Sequence, residues 1–321
     1  MPVVSNSNYR PPFYLFHGHL ETMMPYLVRK IDGVVYERER IELPDQDFMD
    51  LDWVLEDNNK LLILCHGLEG SSASQYMLGM AKAASARSYD VLAINFRSCS
   101  GEMNRLLRMY HHGEIEDLTY IIDLVNERNN YASIHLAGFS LGGNVILKYL
   151  GLTGSKVPLN IRSAMAVSVP CDLGSSSDRL SEWYNYLYTR RFMKTLKDKF
   201  EVKNEMFPGV LDLSGYDKVR SWREFDNRFT TKITDFASAE EYYVQGSANN
   251  FLGGIRTNTL LLNALNDPFL DDPSYPYQRC KNHSYVFLET PKYGGHVGFW
   301  SPDLNWAYTE IRAFEFFDQF A

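Results

Sequence analysis

Three residues of this chain have the types and the order that acyl-transfer chemistry uses. Ser140 stands in the pattern G-x-S-x-G, as Gly138-Phe139-Ser140-Leu141-Gly142. An apolar run over 134–137 leads into it and a helix-compatible run over 144–150 leads out. That context predicts a strand, a tight turn that lifts the hydroxyl clear of the sheet, and a helix. A serine hydroxyl attacks a carbonyl only when a base takes its proton, and a third group must orient that base. Asp267, in Leu265-Asn266-Asp267-Pro268-Phe269, and His296, in Gly294-Gly295-His296-Val297-Gly298, each follow the end of an expected strand. Asp267 before Pro268 also reads as a plain turn opening, and His296 among glycines as a loop histidine. The three together, in the chain order Ser, Asp, His, point to a catalytic triad.

Such a site also needs two backbone N–H donors for the developing oxyanion. One is expected from Leu141, directly after the serine. The other is expected from Leu68, in the loop His66-Gly67-Leu68. His66 is read as a brace for this loop rather than as a second base.

The elements that must position these residues follow from hydrophobic periodicity. Residues 34–43 and 48–55 alternate around the turn Pro44-Asp45-Gln46-Asp47 and predict an antiparallel hairpin. Apolar runs at 61–65, 91–96, 133–137, 164–169, 259–264 and 285–288 predict buried strands, with helices between the earlier ones. The expected fold is α/β: a mostly parallel central sheet with an antiparallel N-terminal hairpin and helices on both faces. From Asp172 to Arg256 the strand rhythm stops. This stretch, rich in aromatic and basic residues, is expected to be a helical lid inserted after the sixth strand of one domain spanning 1–321. Its Trp183, Tyr184 and Tyr188 are candidates to line an acyl tunnel, with ordinary packing as the alternative. A closing helix is expected over about 305–320, burying Trp306, Ile311, Phe314 and Phe317.

Composition narrows the class. With 32 Lys and Arg against 40 Asp and Glu, the formal charge is −8, which argues against a nucleic-acid partner. The four cysteines Cys65, Cys99, Cys171 and Cys280 lie far apart, without metal-ligand spacing, and the first three read as small buried thiols. His17 and His19 form a His-x-His pair without a further ligand nearby, so no metal and no cofactor is expected. No signal peptide and no transmembrane segment is predicted, and a cytoplasmic location is the default.

The sequence resembles the YheT-like branch of the α/β-hydrolases, whose relatives include α/β-hydrolase domain-containing lipases and yeast medium-chain ethyl-ester synthases. The resemblance rests on residues 66–72 (HGLEGSS), 95–101 (NFRSCSG), 110–113 (YHHG), 138–144 (GFSLGGN), 267–269 (DPF) and 294–299 (GGHVGF), and runs from about Tyr9 to the closing helix. Two departures stand out: Ser98 where the family usually has glycine, and Gln46 where it usually has the glycine of D-G-D, which suggests a different turn geometry. The membrane-anchoring N-terminal helix of some eukaryotic relatives is not expected here. The resemblance implies hydrolysis of short- to medium-chain acyl esters, with Ser140 as nucleophile, His296 as base and Asp267 as orienting acid. Arg97, Cys99, Tyr110 and His111 belong to motifs of this branch, and a buried Arg97 network ordering its loop is expected. A small-molecule ester is the expected partner; the sequence leaves oligomeric state open. Acyl transfer to an alcohol, a thioesterase or amidase, and a non-catalytic binding protein on the same fold are the alternatives.

Overall fold

The computed structural model describes residues 3–4, 7–128, 131–301 and 305–320. Its centre is a nine-stranded sheet in the order β1-β9-β8-β7-β6-β4-β5-β3-β2. The strands are β1 (Val3–Val4), β2 (Glu37–Glu42), β3 (Phe48–Val54), β4 (Lys60–Cys65), β5 (Asp90–Asn95), β6 (Ser133–Phe139), β7 (Ile161–Val167), β8 (Asn258–Leu262) and β9 (Val286–Glu289). Strands β4 to β9 run parallel, and β2 and β3 form the antiparallel hairpin, Glu42 opposite Phe48. Strand β3 also pairs antiparallel with β5. The edge strand β1, parallel to β9, is too short to leave a periodic signal.

The apolar runs become strands because helices cover both faces. Residues of β4 alternate between two clusters: Leu61, Ile63 and Cys65 pack with α3 (Glu116–Arg128) and α4 (Leu141–Thr153), while Leu62 and Leu64 pack with α2 (Gln75–Ser85) and the closing helix Tyr308–Phe317. Strand Leu61–Cys65 is wholly inaccessible, as expected of a parallel strand sandwiched between helices. The closing helix is shorter than expected. Phe314 and Phe317 are buried, whereas Ile311 and Trp306 are only partly so.

Residues 7–30 contain a helix. This α1 (Gly18–Val28) starts at His17, whose Nδ1 accepts from the His19 amide, and it carries Pro25 inside. Positions 1, 2, 5 and 6 lie outside the described residues. Between β7 and β8 the chain leaves the sheet through α5 (Leu173–Ser181), α6 (Tyr186–Met206) and shorter helical pieces that include Trp222–Phe225, a π-helical turn Asp226–Thr230 and Ala239–Gly246. This insertion has a core of its own around Met193, Leu196, Phe200, Tyr216, Trp222, Phe225 and Phe229.

Both departures from the family pattern sit where the backbone is left-handed, Gln46 at φ +70° and Ser98 at φ +64°. Gln46 therefore takes the conformation that glycine favours. Cys65, Cys99, Cys171 and Cys280 are all free and buried.

Candidate active site

The turn at Ser140 is built by close approach. A Cβ at Gly142 would collide with the Cys65 carbonyl, and one at Gly138 with the backbone of Gly142. Ser140 itself takes φ +52° and ψ −115°, a conformation that costs energy in a non-glycine residue. Hydrogen bonds hold it there: its amide donates to the Val167 carbonyl at 2.8 Å, and its carbonyl accepts from the Asn144 amide at 3.0 Å.

Asp267 and His296 arrive from the ends of β8 and β9. His296 Nε2 lies 3.0 Å from Ser140 Oγ, and its Nδ1 lies 2.8 Å from Asp267 Oδ2 and 3.1 Å from Oδ1. The Asp267 carboxylate also accepts from the Phe269 amide at 2.9 Å. The Asp267 side chain is inaccessible, while that of His296 is 11 % exposed. Phe269 lies against the imidazole with ring centroids 4.2 Å apart. Three residues 29 to 156 positions apart thus form one hydrogen-bonded row.

Helix α1 clamps both loops. Thr22 Oγ1 accepts from the His296 amide at 2.8 Å, and Asn266 Oδ1 accepts from the Gly295 amide at 3.0 Å. Asn266 Nδ2 donates to Glu21, a buried residue of α1 whose carboxyl burial pushes up. Sequence reasoning missed Thr22 and Glu21. The available signal was weak, because Pro25 interrupts the helical pattern and the cap is a histidine.

The loop after β4 presents the Leu68 amide. His66 braces it as expected: Nδ1 donates to the Gly67 carbonyl at 2.7 Å and Nε2 accepts from the Phe96 amide at 3.1 Å. Burial holds that imidazole down at about 4, so it stays neutral. The Gly67 amide donates to Tyr76 Oη at 3.0 Å and the Glu69 amide to Tyr110 Oη at 2.7 Å. Glu69 sits at φ +54°, and its carboxylate accepts from Tyr110 Oη and from Lys199 Nζ of α6, both at 2.7 Å. The amides of Leu68 and Leu141 donate to no other described residue.

Arg97 is 3 % exposed and its guanidinium meets Asp45 at 2.7 Å, Asp47 at 2.9 Å and Asp117 at 2.7 Å. That network ties the loop after β5 to the hairpin turn and to α3, the ordering role expected of it. Cys99 Sγ lies 3.4 Å from Lys199 Nζ.

A cavity of about 510 Å3 opens on Ser140 and His296. Leu68 and Leu141 line it from the sheet side, Met23, Tyr26 and Leu27 from α1, and Leu187, Tyr188, Phe192, Leu196, Phe200 and Trp222 from the insertion. Of the three aromatic candidates, Tyr188 alone lines this cavity. Trp183 is 84 % exposed, and Tyr184 stacks edge-on against it and His19 at the surface. A short helical turn over Trp183–Asn185, anchored where Asn185 Nδ2 donates to the Arg179 and Pro268 carbonyls, holds these two side chains away from the cavity. His17 and His19 stack on each other, and His19 Nδ1 lies 3.2 Å from Tyr188 Oη. Among the described residues no cluster of three His, Cys, Asp or Glu could hold a metal, and no helix is long and apolar enough to cross a membrane.

Comparison with known proteins agrees with this architecture. Residues 60–303 match a family model described as the alpha/beta hydrolase fold. The candidate esterase YheT of Escherichia coli (strain K12) is 35% identical over 301 residues, covering 92% of this chain and 88% of its own. Phospholipase ABHD3 of Homo sapiens is 30% identical over 308 residues, covering 93% of this chain and 75% of its own. The solved esterase Pf2001 of Pyrococcus furiosus has a TM-score of 0.61 at 17% identity, covering 98% of this chain and 99% of that one, a likeness of fold. A glycine-flanked serine at a strand-to-helix turn, an aspartate and a histidine after later strands, and a family match over most of the sequence all agree: this chain belongs to the α/β-hydrolase fold family.

Proposed function

We propose that the protein is a serine hydrolase that cleaves carboxylic esters of short- to medium-chain acids through an acyl-enzyme. Ser140 Oγ attacks the ester carbonyl while His296 Nε2 takes its proton. Asp267 accepts a hydrogen bond from Nδ1–H, which fixes the imidazole tautomer and stabilises the imidazolium that forms. The amides of Leu68 and Leu141 donate to the oxyanion of the tetrahedral intermediate. Collapse expels the alcohol, which takes the proton from His296. Water, deprotonated by the same imidazole, then attacks the acyl-enzyme and releases the acid and free Ser140.

One observation carries this reading: the His296 imidazole bridges Ser140 Oγ at 3.0 Å and Asp267 Oδ2 at 2.8 Å at the floor of a cavity. The apolar insertion wall supports an acyl chain as the part of the substrate held there, with residues 172–256 serving as a lid on the sheet domain. The esterase and lipase names of relatives agree with that substrate class.

A fluorophosphonate probe should label the wild-type protein at Ser140, and p-nitrophenyl acyl esters should be turned over. Ser140→Ala should abolish labelling and reduce turnover by about 10⁶-fold with the circular dichroism spectrum intact. Turnover by a clean S140A preparation at the wild-type rate would sink the mechanism.

A further inference from the structure

Along the insertion the cavity wall carries the apolar side chains of Leu180, Phe192, Leu196, Phe200, Trp222 and Phe225, with Arg191 also lining it. One carboxyl group interrupts it. Asp226 is 7 % exposed and lines the cavity. It opens the π-helical turn Asp226–Thr230, a rare conformation that recurs at functional sites. Its Oδ1 accepts from the Thr230 hydroxyl and its Oδ2 from the Tyr243 hydroxyl, both at 2.6 Å. Ser177 Oγ lies 2.6 Å from the Tyr243 hydroxyl.

No salt bridge reaches Asp226 among the described residues. Arg223, whose guanidinium lies 5.1 Å over the Tyr243 ring, is paired with Asp178 and Glu240 instead. A carboxylate offers about four acceptor positions, and two are filled here. Leaving a buried carboxyl without a cation is costly, and burial pushes this one up to about 6. Joining Thr230 to Tyr243 needs only a neutral acceptor. A full carboxyl beside an apolar cavity adds open acceptor positions next to the space that a substrate enters. Ser176, His112 and Tyr242 line the same cavity, so this stretch of wall both donates and accepts.

We propose that Asp226 is the centre of a second recognition site, which binds a hydrogen-bond-donating group, hydroxyl or ammonium, carried on the acyl chain at a distance from the ester. The substrate class is then a hydroxy- or aminoacyl ester rather than a plain alkanoyl one. This rests on Ser140 as the nucleophile and on the apolar wall as the acyl side. The carbons between ester and donor pack against Leu180, Phe192, Leu196 and Phe225. The terminal donor meets Asp226, which an alkyl end would leave facing a methyl group.

The test compares p-nitrophenyl esters with methyl, hydroxyl or amino ends, matched in heavy-atom count, across a series of chain lengths. Wild-type protein should prefer the hydroxyl or amino ester over its methyl counterpart by about tenfold in kcat/KM at the matching length. Which of the two it prefers assigns the donor. D226L should abolish the preference. D226N should abolish a preference for amino and weaken one for hydroxyl, with fluorophosphonate labelling of both variants showing that the Ser140 site is folded. Methyl esters winning at every length overturns the proposal, as does a preference that survives in both variants. If wild-type protein neither labels nor turns over any ester, the hydrolase reading has failed instead. Equilibrium dialysis of matched hydroxy, amino and plain alkanoic acids against wild type and D226N then decides the site alone.

Discussion

The sheet and the insertion do different work, and they are built differently. Around the sheet, the proposed nucleophile, base and acid hang from strand ends whose backbones are hydrogen-bonded on both sides, and the turn at Ser140 tolerates no Cβ at Gly138 or Gly142. The insertion packs the 21-residue α6 and several shorter helices around a small aromatic core, and its Ala248, Leu252 and Ile255 join the apolar core beneath the sheet. Lys203 Nζ, wholly buried, donates to the Asn104 carbonyl at 2.7 Å and to that of Leu106, while Lys199 holds Glu69. The comparison teaches a division of labour: the sheet carries the proposed reacting groups at its strand ends, and the insertion supplies much of the apolar wall that faces them.

The largest effect should come from the sheet. Asp267→Asn keeps the shape of the row but favours the wrong imidazole tautomer, so kcat on a p-nitrophenyl ester should fall by about 10⁴-fold. Steady-state kinetics check this. A loss of less than tenfold would mean that the Asp267–His296 contact is not part of the reaction.

Acid should act with opposite sign on four buried histidines of the sheet domain and on Asp226 of the insertion. Burial holds His66 and His135 down at about 4, and His111 and His112 at about 3, against a usual 6.5. Below 6.5 the unfolded chain takes up these protons and the folded chain does not, so stability falls as pH drops toward 4. Each histidine contributes about 1.4 kcal/mol per pH unit in that window. Asp226 in the insertion is raised from 3.8 to about 6 by burial, so its share is present below 3.8 and is lost as pH rises through 6. Urea unfolding at several pH values should show wild-type stability falling from pH 6.5 to 4.5. D226N should fall more steeply, because it lacks the offsetting group. Equal slopes would mean that Asp226 is not held protonated by the fold.

The same division explains what could be read in advance. Leu61–Cys65 and its neighbours are apolar on both faces, which leaves few alternatives to a parallel core strand. A serine, aspartate and histidine at the ends of such strands are brought together by topology alone. Trp183 and Tyr184, candidates with ordinary packing as the alternative, do not line the cavity, and composition cannot tell which side of a short helix faces one. That depends on the turn at Asn185 and on its bonds to Arg179 and Pro268, distant in sequence. Asp226 gave no signal either, since one carboxylate among many becomes unusual only through burial. Helix α1 was hidden by Pro25 and by the dependence of its packing on the loops that it clamps.

A smaller effect should appear at the junction of the two regions. Lys199→Met removes the insertion's hold on Glu69, the left-handed residue next to the Leu68 amide, and leaves that carboxylate with Tyr110 as its remaining side-chain partner. If the amide stabilises an oxyanion, kcat should fall about tenfold, or about 1.4 kcal/mol, with KM nearly unchanged. Lys199→Arg should recover part of the loss. A raised KM at constant kcat would instead place Lys199 in substrate binding and weaken the coupling of insertion to sheet.

The smallest effect belongs to the hairpin turn. Gln46 is exposed and stands at φ +70°, with its amide donating to the Leu43 carbonyl at 2.9 Å and its carbonyl accepting from Arg105 at 2.9 Å. Both bonds use backbone atoms, which glycine would keep. A side chain in the left-handed region costs about 1–2 kcal/mol, and glycine returns roughly half of that through its greater freedom when unfolded. Gln46→Gly should therefore stabilise the protein by about 0.5–1 kcal/mol, seen as a higher urea midpoint with an unchanged slope and unchanged ester turnover. Destabilisation would show that the Gln46 side chain holds the turn in some way beyond these backbone bonds. A change in turnover would break the separation between the hairpin, which supports the sheet from its edge, and the strand ends where the reacting groups sit.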